Sequence, residues 1–413
     1  MWMALLALAS CGSGRYLKEK ASLDQLLRSQ PFIQHKLDSF AQYETQVIYI
    51  QITRDRHNKP HFRSFAWNND PQYYFYPAST VKMPAALIAV EKINQLSSSY
   101  LGINISTPLK IDSIRPPQSA VSDDTTSWNR TASIGQYIKK IFTVSDNDAF
   151  NRVYEFLGQA YLNERLRTLG YHQTHIIHRL DAPQFDFQSN KYTNPVHFYN
   201  EDRPYIDLPE QHNPRDVRVP SLRSTRKGDG YLAGDSLVHG PFDFGYKNFF
   251  ALNDMSRMVK NILFHEYISQ NEQFNLTPDQ IKYIRNCMST LPRESRFPSY
   301  DTSYHDGYGK FFMYGGTRDT IPDYIRIFNK AGWAYGYLTD AAYIADFKNK
   351  TEFIVAATIS TNTDGIFNDG KYNYESVGLP FLRQLGSLIY QYELKRPRKY
   401  KPDLSAFTFE ELP

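Results

Sequence analysis

Three short groups of residues carry side chains with which a protein could do covalent chemistry. The first is Tyr76-Pro77-Ala78-Ser79-Thr80-Val81-Lys82-Met83, where Ser79 and Lys82 stand three apart and share a face if the segment is helical. Met83, Ala86 and Val90 continue that face, so the spacing predicts a lysine in an apolar stripe rather than in water. A serine at a helix start beside a desolvated amine is the layout of an activated nucleophile. The plainer alternative is a serine cap followed by a lysine whose head snorkels to solvent. The second group, Ser145-Asp146-Asn147, falls between two predicted helices, and Ser145 with Asp148 also has the spacing of a helix cap. The third, Asn329-Lys330-Ala331-Gly332-Trp333, falls among predicted strands, where its plainer reading is a lysine near a strand end before a turn glycine.

These groups need elements to hold them. The chain has 413 residues, enough for one large domain or two with ample core. A net charge of +4 with no run of five like charges argues against nucleic acid as a partner. No stretch of 18 apolar residues is present, so no membrane-spanning helix is expected. Residues 22–43 read as an amphipathic helix interrupted near Pro31, and 45–53 and 61–67 as a strand hairpin. Helices are predicted over 134–143, 148–157, 160–169, 250–264 and 277–291. Residues 179–250 carry seven prolines, lose all periodicity and are expected to lack regular structure. Strands over 324–328, 334–346 and 351–359 and a helix over 376–392 close the chain. This order predicts an α/β (α+β) fold whose antiparallel sheet comes from both chain ends, residues 21–78 and 320–395, flanked by helices. An all-helical lobe, 79–319 with an insertion at 183–250, would lie between, and Ser79 would sit at the seam where clefts form. Residues 396–413 read as a basic tail.

The chain's two cysteines are Cys11 and Cys287. Residues 3–14 form a short apolar run followed by small residues and resemble a bacterial signal peptide. Leu8-Ala9-Ser10-Cys11 resembles a lipobox, although Met1-Trp2-Met3 lacks the basic residues of such a leader. That resemblance implies a lipidated Cys11, a tether up to residue 20, and a protein anchored to the membrane in the cell envelope, on the periplasmic or extracytoplasmic side. Cys287 then has no intramolecular partner, and no stabilising disulfide is expected.

Together the Ser-x-x-Lys, Ser-Asp-Asn and Lys-x-Gly groups, in this order and context, resemble the serine β-lactamase and penicillin-binding protein superfamily, in particular the class A β-lactamase-like serine hydrolases. The resemblance spans the layout of residues 20–395. Leu169-Gly170 followed by Arg179-Leu180-Asp181 resembles the approach to that family's omega loop, and 330–344 with 351–359 its paired active-site strands. The resemblance implies that Ser79 attacks an acyl carbon and becomes an acyl-enzyme. Lys82 would be its base, which requires a neutral amine and thus a pKa depressed by about three units, about 4 kcal/mol. Ser145 would relay the proton towards the leaving nitrogen, and Asn147 would hold the substrate amide or the lysine. Lys330 would receive a substrate carboxylate, Gly332 would let the substrate approach the strand, and the backbone N–H groups of Ser79 and Trp333 would form the oxyanion hole.

Two departures from the family pattern bear on activity. Ala331 replaces a hydroxyl residue of the third motif, a loss of about 1–3 kcal/mol of hydrogen bonding if unreplaced. Gln184 occupies the expected place of the omega-loop glutamate that activates the deacylating water, with Asp186 as an alternative base. The resemblance therefore implies a serine hydrolase acylated on Ser79 by β-lactams or related amides, with slow or atypical deacylation. The alternatives are a penicillin-binding D-alanyl-D-alanine peptidase or transpeptidase, and an envelope lipoprotein that binds a peptidoglycan-type ligand without turnover. No cofactor or metal is expected: His172, His175 and His178 recur every third position, but without a Cys or acidic partner they read as a solvated turn.

Overall fold

Residues 46–54 alternate between two apolar environments, which places them at the centre of the molecule. Val47 and Tyr49 face one buried cluster, Ile48, Ile50 and Ile52 the other, as the two-residue period of a strand requires. The computed structural model describes residues 23–200 and 203–412. The strands of its main sheet are β1 (Gln46–Arg54), β2 (Pro60–Trp67), β3 (Ile325–Ala334), β4 (Tyr337–Asp346) and β5 (Thr351–Ser360). They pair antiparallel throughout in the order β3-β4-β5-β1-β2. Val47 of β1 lies opposite Ala357 of β5, so the two ends of the chain build one sheet, as the sequence predicts.

The longer helices are α1 (Pro31–Asp38), α2 (Lys82–Ser97), α3 (Ile134–Val144), α4 (Asn147–Leu157), α5 (Gln159–Thr168), α6 (Leu252–Leu263), α7 (Pro278–Ser289) and α8 (Leu379–Lys395). Ile33 and Leu37 of α1 and Leu382, Leu385 and Ile389 of α8 cover one face of the sheet. Met255, Val259 and Ile262 of α6 cover the other and continue into the core around α2, α3 and α4. With both faces covered, β4 and β5 are buried along their whole length, and their sequences read as near-continuous apolar runs rather than alternating ones.

The lobe at 79–319 is not all-helical, and the insertion at 183–250 is not structureless. Val196–Asn200 pairs with Leu109–Ile111 on one side and with Arg203–Leu208 on the other. Gly230–Ala233 and Ser236–His239 form a hairpin to which Ile366–Phe367 adds in parallel. Phe249–Phe250 pairs with Thr174–His175. Strands of two to six residues are too short to display a readable period. They are held by what they bury: Phe244 is enclosed among the rings of Tyr74, Tyr335 and Phe367 at 5.4, 5.5 and 5.1 Å.

The segment after α8 is basic but not a free tail. Leu404, Phe407 and Leu412 are buried, and Phe407 packs on Tyr343 with ring centroids 4.8 Å apart. Cys287 is free and buried in α7, while Cys11 lies outside the described residues. No helix among the described residues is long and apolar enough to cross a membrane.

Candidate active site

Beyond β2 the chain enters a single 3-10 turn, Ala78–Val81, that runs directly into α2. Ala78 adopts a left-handed conformation, φ 46°, immediately before Ser79. Such backbone costs a non-glycine residue of order 1–3 kcal/mol and recurs at functional sites. Every residue of α2 from Lys82 to Glu91 is buried. Lys82 therefore lies not in an apolar stripe, as the spacing predicts, but at the head of a helix enclosed on all sides. Its side chain is 0% exposed, so the snorkelling alternative is excluded.

The turn between α3 and α4 brings the second group to Lys82. Ser145 closes α3 in the left-handed region, φ 62°, and Asp146, rather than Ser145, caps α4 by accepting from the Ala149 amide at 2.8 Å. Freed of capping, Ser145 and Asn147 point at the lysine. Lys82 Nζ lies 2.5 Å from the Ser145 carbonyl, 2.6 Å from Asn147 Oδ1 and 3.3 Å from Ser145 Oγ. The first two partners can only accept, so in a neutral amine they would use both N–H bonds. The lone pair is then left for a hydroxyl.

Lys330 lies inside β3, not at its end. Its Nζ donates to Ser145 Oγ at 2.9 Å and to the Ala331 carbonyl at 2.7 Å. The Ser145 hydroxyl thus sits between two lysines. Gly332, opposite Thr339 of β4, is where the strand crosses Ser79: a Cβ there would lie 2.5 Å from Ser79 N and 3.0 Å from Thr80 N. Trp333 follows with its ring half out in solvent, near Phe311 and Tyr374. The methyl of Ala331 packs into the apolar cluster on the other side of the sheet.

Burial sets the charges. It is the first cause that drives the Lys82 amine well below its ordinary 10.5, and the charge of Lys330 is the second; Asp146 and Asp181 oppose both. Burial also lowers Lys330 to about 7, against the pull of Asp340. Behind Lys330, Asn329 Nδ2 donates to Asp340 Oδ1 and to the Gly309 carbonyl, each at 2.8 Å, while Lys310 Nζ donates to Asn329 Oδ1 at 2.8 Å. With two lysines sharing one hydroxyl, the charge of Lys330 adds to burial in disfavouring a charge on Lys82.

The omega-loop expectation is corrected. Arg179 is buried and donates through Nε to Glu155 Oε1 at 2.9 Å, and Asn151 brackets Leu180 by bonding both its N–H and its carbonyl. Asp181 then takes a left-handed φ of 50°. Of the residues that follow, Ala182, Pro183 and Phe185 still line the cavity, but Gln184 is exposed and does not. Asp181 does line it, with Oδ2 3.4 Å from Asn147 Nδ2. The carboxylate beside the lysine lies within the Arg-Leu-Asp segment, not after it. Asp186 also borders the cavity, but its carboxylate is engaged by the amide and hydroxyl of Ser189, both at 2.7 Å.

Ser79, Ser145, Asn147, Lys330, Gly332 and Trp333 all line one cavity of about 910 Å³, and Lys82 lies buried just behind it. The insertion supplies part of the wall through Phe187, Tyr246 and Lys247, residues for which the sequence offers no signal. Of the three histidines only His172 lies in an exposed turn. His175 is buried, its Nδ1 accepting from Val219 N, and His178 Nε2 accepts from Asn248 N at 3.1 Å.

A family model described as the beta-lactamase enzyme family matches residues 43–392. No curated protein matches the chain. Among solved structures, PBP-A is similar at 16% identity, with 91% of this chain and 95% of that one covered and a TM-score of 0.48. A halotolerant bacterial β-lactamase is similar at 13% identity, covering 89% and 99%, TM-score 0.47. A class A β-lactamase from Clostridium kluyveri is similar at 14% identity, covering 91% and 98%, TM-score 0.44. At these values the structural likenesses add no argument of their own, and the assignment rests on the family model.

Proposed function

Since the chain belongs to the beta-lactamase enzyme family, we propose that it is a serine hydrolase acylated on Ser79 by β-lactams or related amides. The observation that carries this reading is the pair of lysines about one hydroxyl, Lys82 and Lys330 on Ser145 Oγ at 3.3 and 2.9 Å. A neutral Lys82 takes the Ser79 proton as Oγ attacks the carbonyl carbon. The oxyanion that forms is met by the backbone N–H groups of Ser79 and Trp333, beside the close crossing at Gly332. The proton passes through the Ser145 hydroxyl to the leaving nitrogen as the C–N bond breaks. Lys330 holds the substrate carboxylate, and Asn147 holds Lys82.

For hydrolysis of the acyl-enzyme, Asp181 is the base that draws the proton from the attacking water. Its exposed carboxylate and short side chain support slow deacylation, which also keeps open a penicillin-binding D-alanyl peptidase. Intact mass after addition of a penicillin tests the reading. A transient adduct on Ser79 supports a β-lactamase, and a persistent one a penicillin-binding enzyme. No adduct, with no hydrolysis of D-alanyl substrates, leaves only a non-catalytic binding protein. The lipobox-like Leu8-Ala9-Ser10-Cys11 supports anchoring in the cell envelope; incorporation of labelled palmitate, lost in Cys11→Ser, tests this.

A further inference from the structure

The insertion places at the same cavity a cation for which the reaction has no use. Lys247 is half-buried and lines the cavity, with Nζ 5.6 Å from the centroid of Tyr335, another lining residue. Its main chain is held: Lys247 N donates to the Phe244 carbonyl at 3.0 Å, and the Lys247 carbonyl bonds His175 Nε2 at 2.9 Å. Among the described residues no carboxylate pairs with its ammonium. The other cations here are occupied: Arg179 with Glu155, Lys330 with Ser145, and Arg218 with Asp216. His178, also on this wall, offers no negative charge. Burial first and the charge of Lys247 second keep its imidazole neutral, at about 3. An unpaired ammonium over a ring face, partly withdrawn from water, is poised for a charge-assisted bond to an anion.

Its position relative to the nucleophile gives the anion an address. Along β3 and the turn after it stand Lys330, then Gly332 against Ser79, then Tyr335 under Lys247. Ser79 therefore lies between the strand position of Lys330 and the ring over which Lys247 stands. Beside Lys247, Phe187 and Tyr246 meet edge to face at 4.9 Å, with the Arg218 guanidinium 4.3 Å over Tyr246. A cavity of about 910 Å³ has room for groups on both sides of a reacting amide.

We propose that Lys247 binds a carboxylate on the acyl side of the substrate, so that the preferred substrates are amides with a carboxylate at each end. This rests on Ser79 being acylated. The test compares acylation of the whole protein by two penicillins, one with a carboxylate on its phenylacetyl side chain and one without. The expected ratio of acylation rates in favour of the carboxylated compound is about tenfold. It should fall to about one in Lys247→Met, be restored in Lys247→Arg, and in the unaltered protein shrink as salt is added. Equal acylation by both compounds, or a ratio that Lys247→Met leaves unchanged, overturns this inference alone. Failure of both compounds to acylate Ser79 overturns the functional reading and this inference with it.

Discussion

Gly332→Ala is the substitution whose consequence follows most directly from the geometry. The added Cβ would lie 2.5 Å from Ser79 N and 3.0 Å from Thr80 N. Both are backbone atoms of a turn packed against a buried helix, so neither can rotate away. Ordinary contact begins near 3.4 Å, so the strand must retreat by roughly 0.9 Å. The retreat is resisted by pairing along β3 and β4, and it carries Lys330, whose bond to Ser145 Oγ is already 2.9 Å. Overpacking of this kind costs about 1–3 kcal/mol of stability. A misplacement of about 1 Å at the reacting centre costs about 10²-fold in rate. The expected outcome is a folded protein with a modestly lower thermal midpoint whose acylation by a penicillin, followed by intact mass against time, is slowed about a hundredfold. Gly309→Ala serves as the steric control, since a Cβ there meets nothing within 4 Å. If Gly332→Ala acylates within twofold of the unaltered protein, the strand does not set the position of Ser79 and the reasoning fails.

Acylation should rise with pH as Lys82 loses its proton, at a pH well below 10.5, and fall as Lys330 loses the charge that holds the substrate carboxylate, near pH 7 in the free enzyme. Lys330→Arg, which stays charged, should remove the alkaline limb, and a limb that persists would assign it elsewhere. Asp181→Asn should lengthen the life of the acyl-enzyme by about 10²–10⁴. Gln184→Ala, at an exposed residue outside the cavity, should leave that lifetime unchanged; the reverse pattern would restore the glutamine position as the relevant one. Glu155→Ala strips a buried carboxylate from Arg152 and Arg179, both bonded to it at 2.9–3.0 Å. A loss of about 3–5 kcal/mol in chemical denaturation is expected, and a loss below about 1 kcal/mol would show that the Arg-Leu-Asp segment is not anchored there.

The sequence by itself determined the architecture and the short segments that meet at the cavity. The alternating residues of β1 and the apolar runs of β4 and β5 announce a sheet made by both chain ends, because strand burial writes itself into local order. Ser79, Lys82, Ser145, Asn147, Lys330 and Gly332 were legible for a related reason: each lies in a short segment whose residue types and spacing need no knowledge of distant neighbours. Those neighbours were left to the tertiary structure. Lys330 and Ser145 are 185 residues apart, and only their meeting shows that one hydroxyl is shared by two lysines. Asp181 lines the cavity and Gln184 does not, and no composition or period encodes the local path of the chain, with its left-handed φ at Asp181, on which this depends. The insertion reads as unstructured because its strands are two to six residues long and are stabilised by rings and backbone from elsewhere in the chain. The same holds for Phe407 in the basic C-terminal segment and for Lys247 at the cavity wall. Which faces of such segments are buried depends on surfaces that exist only once the sheet and its helices have formed.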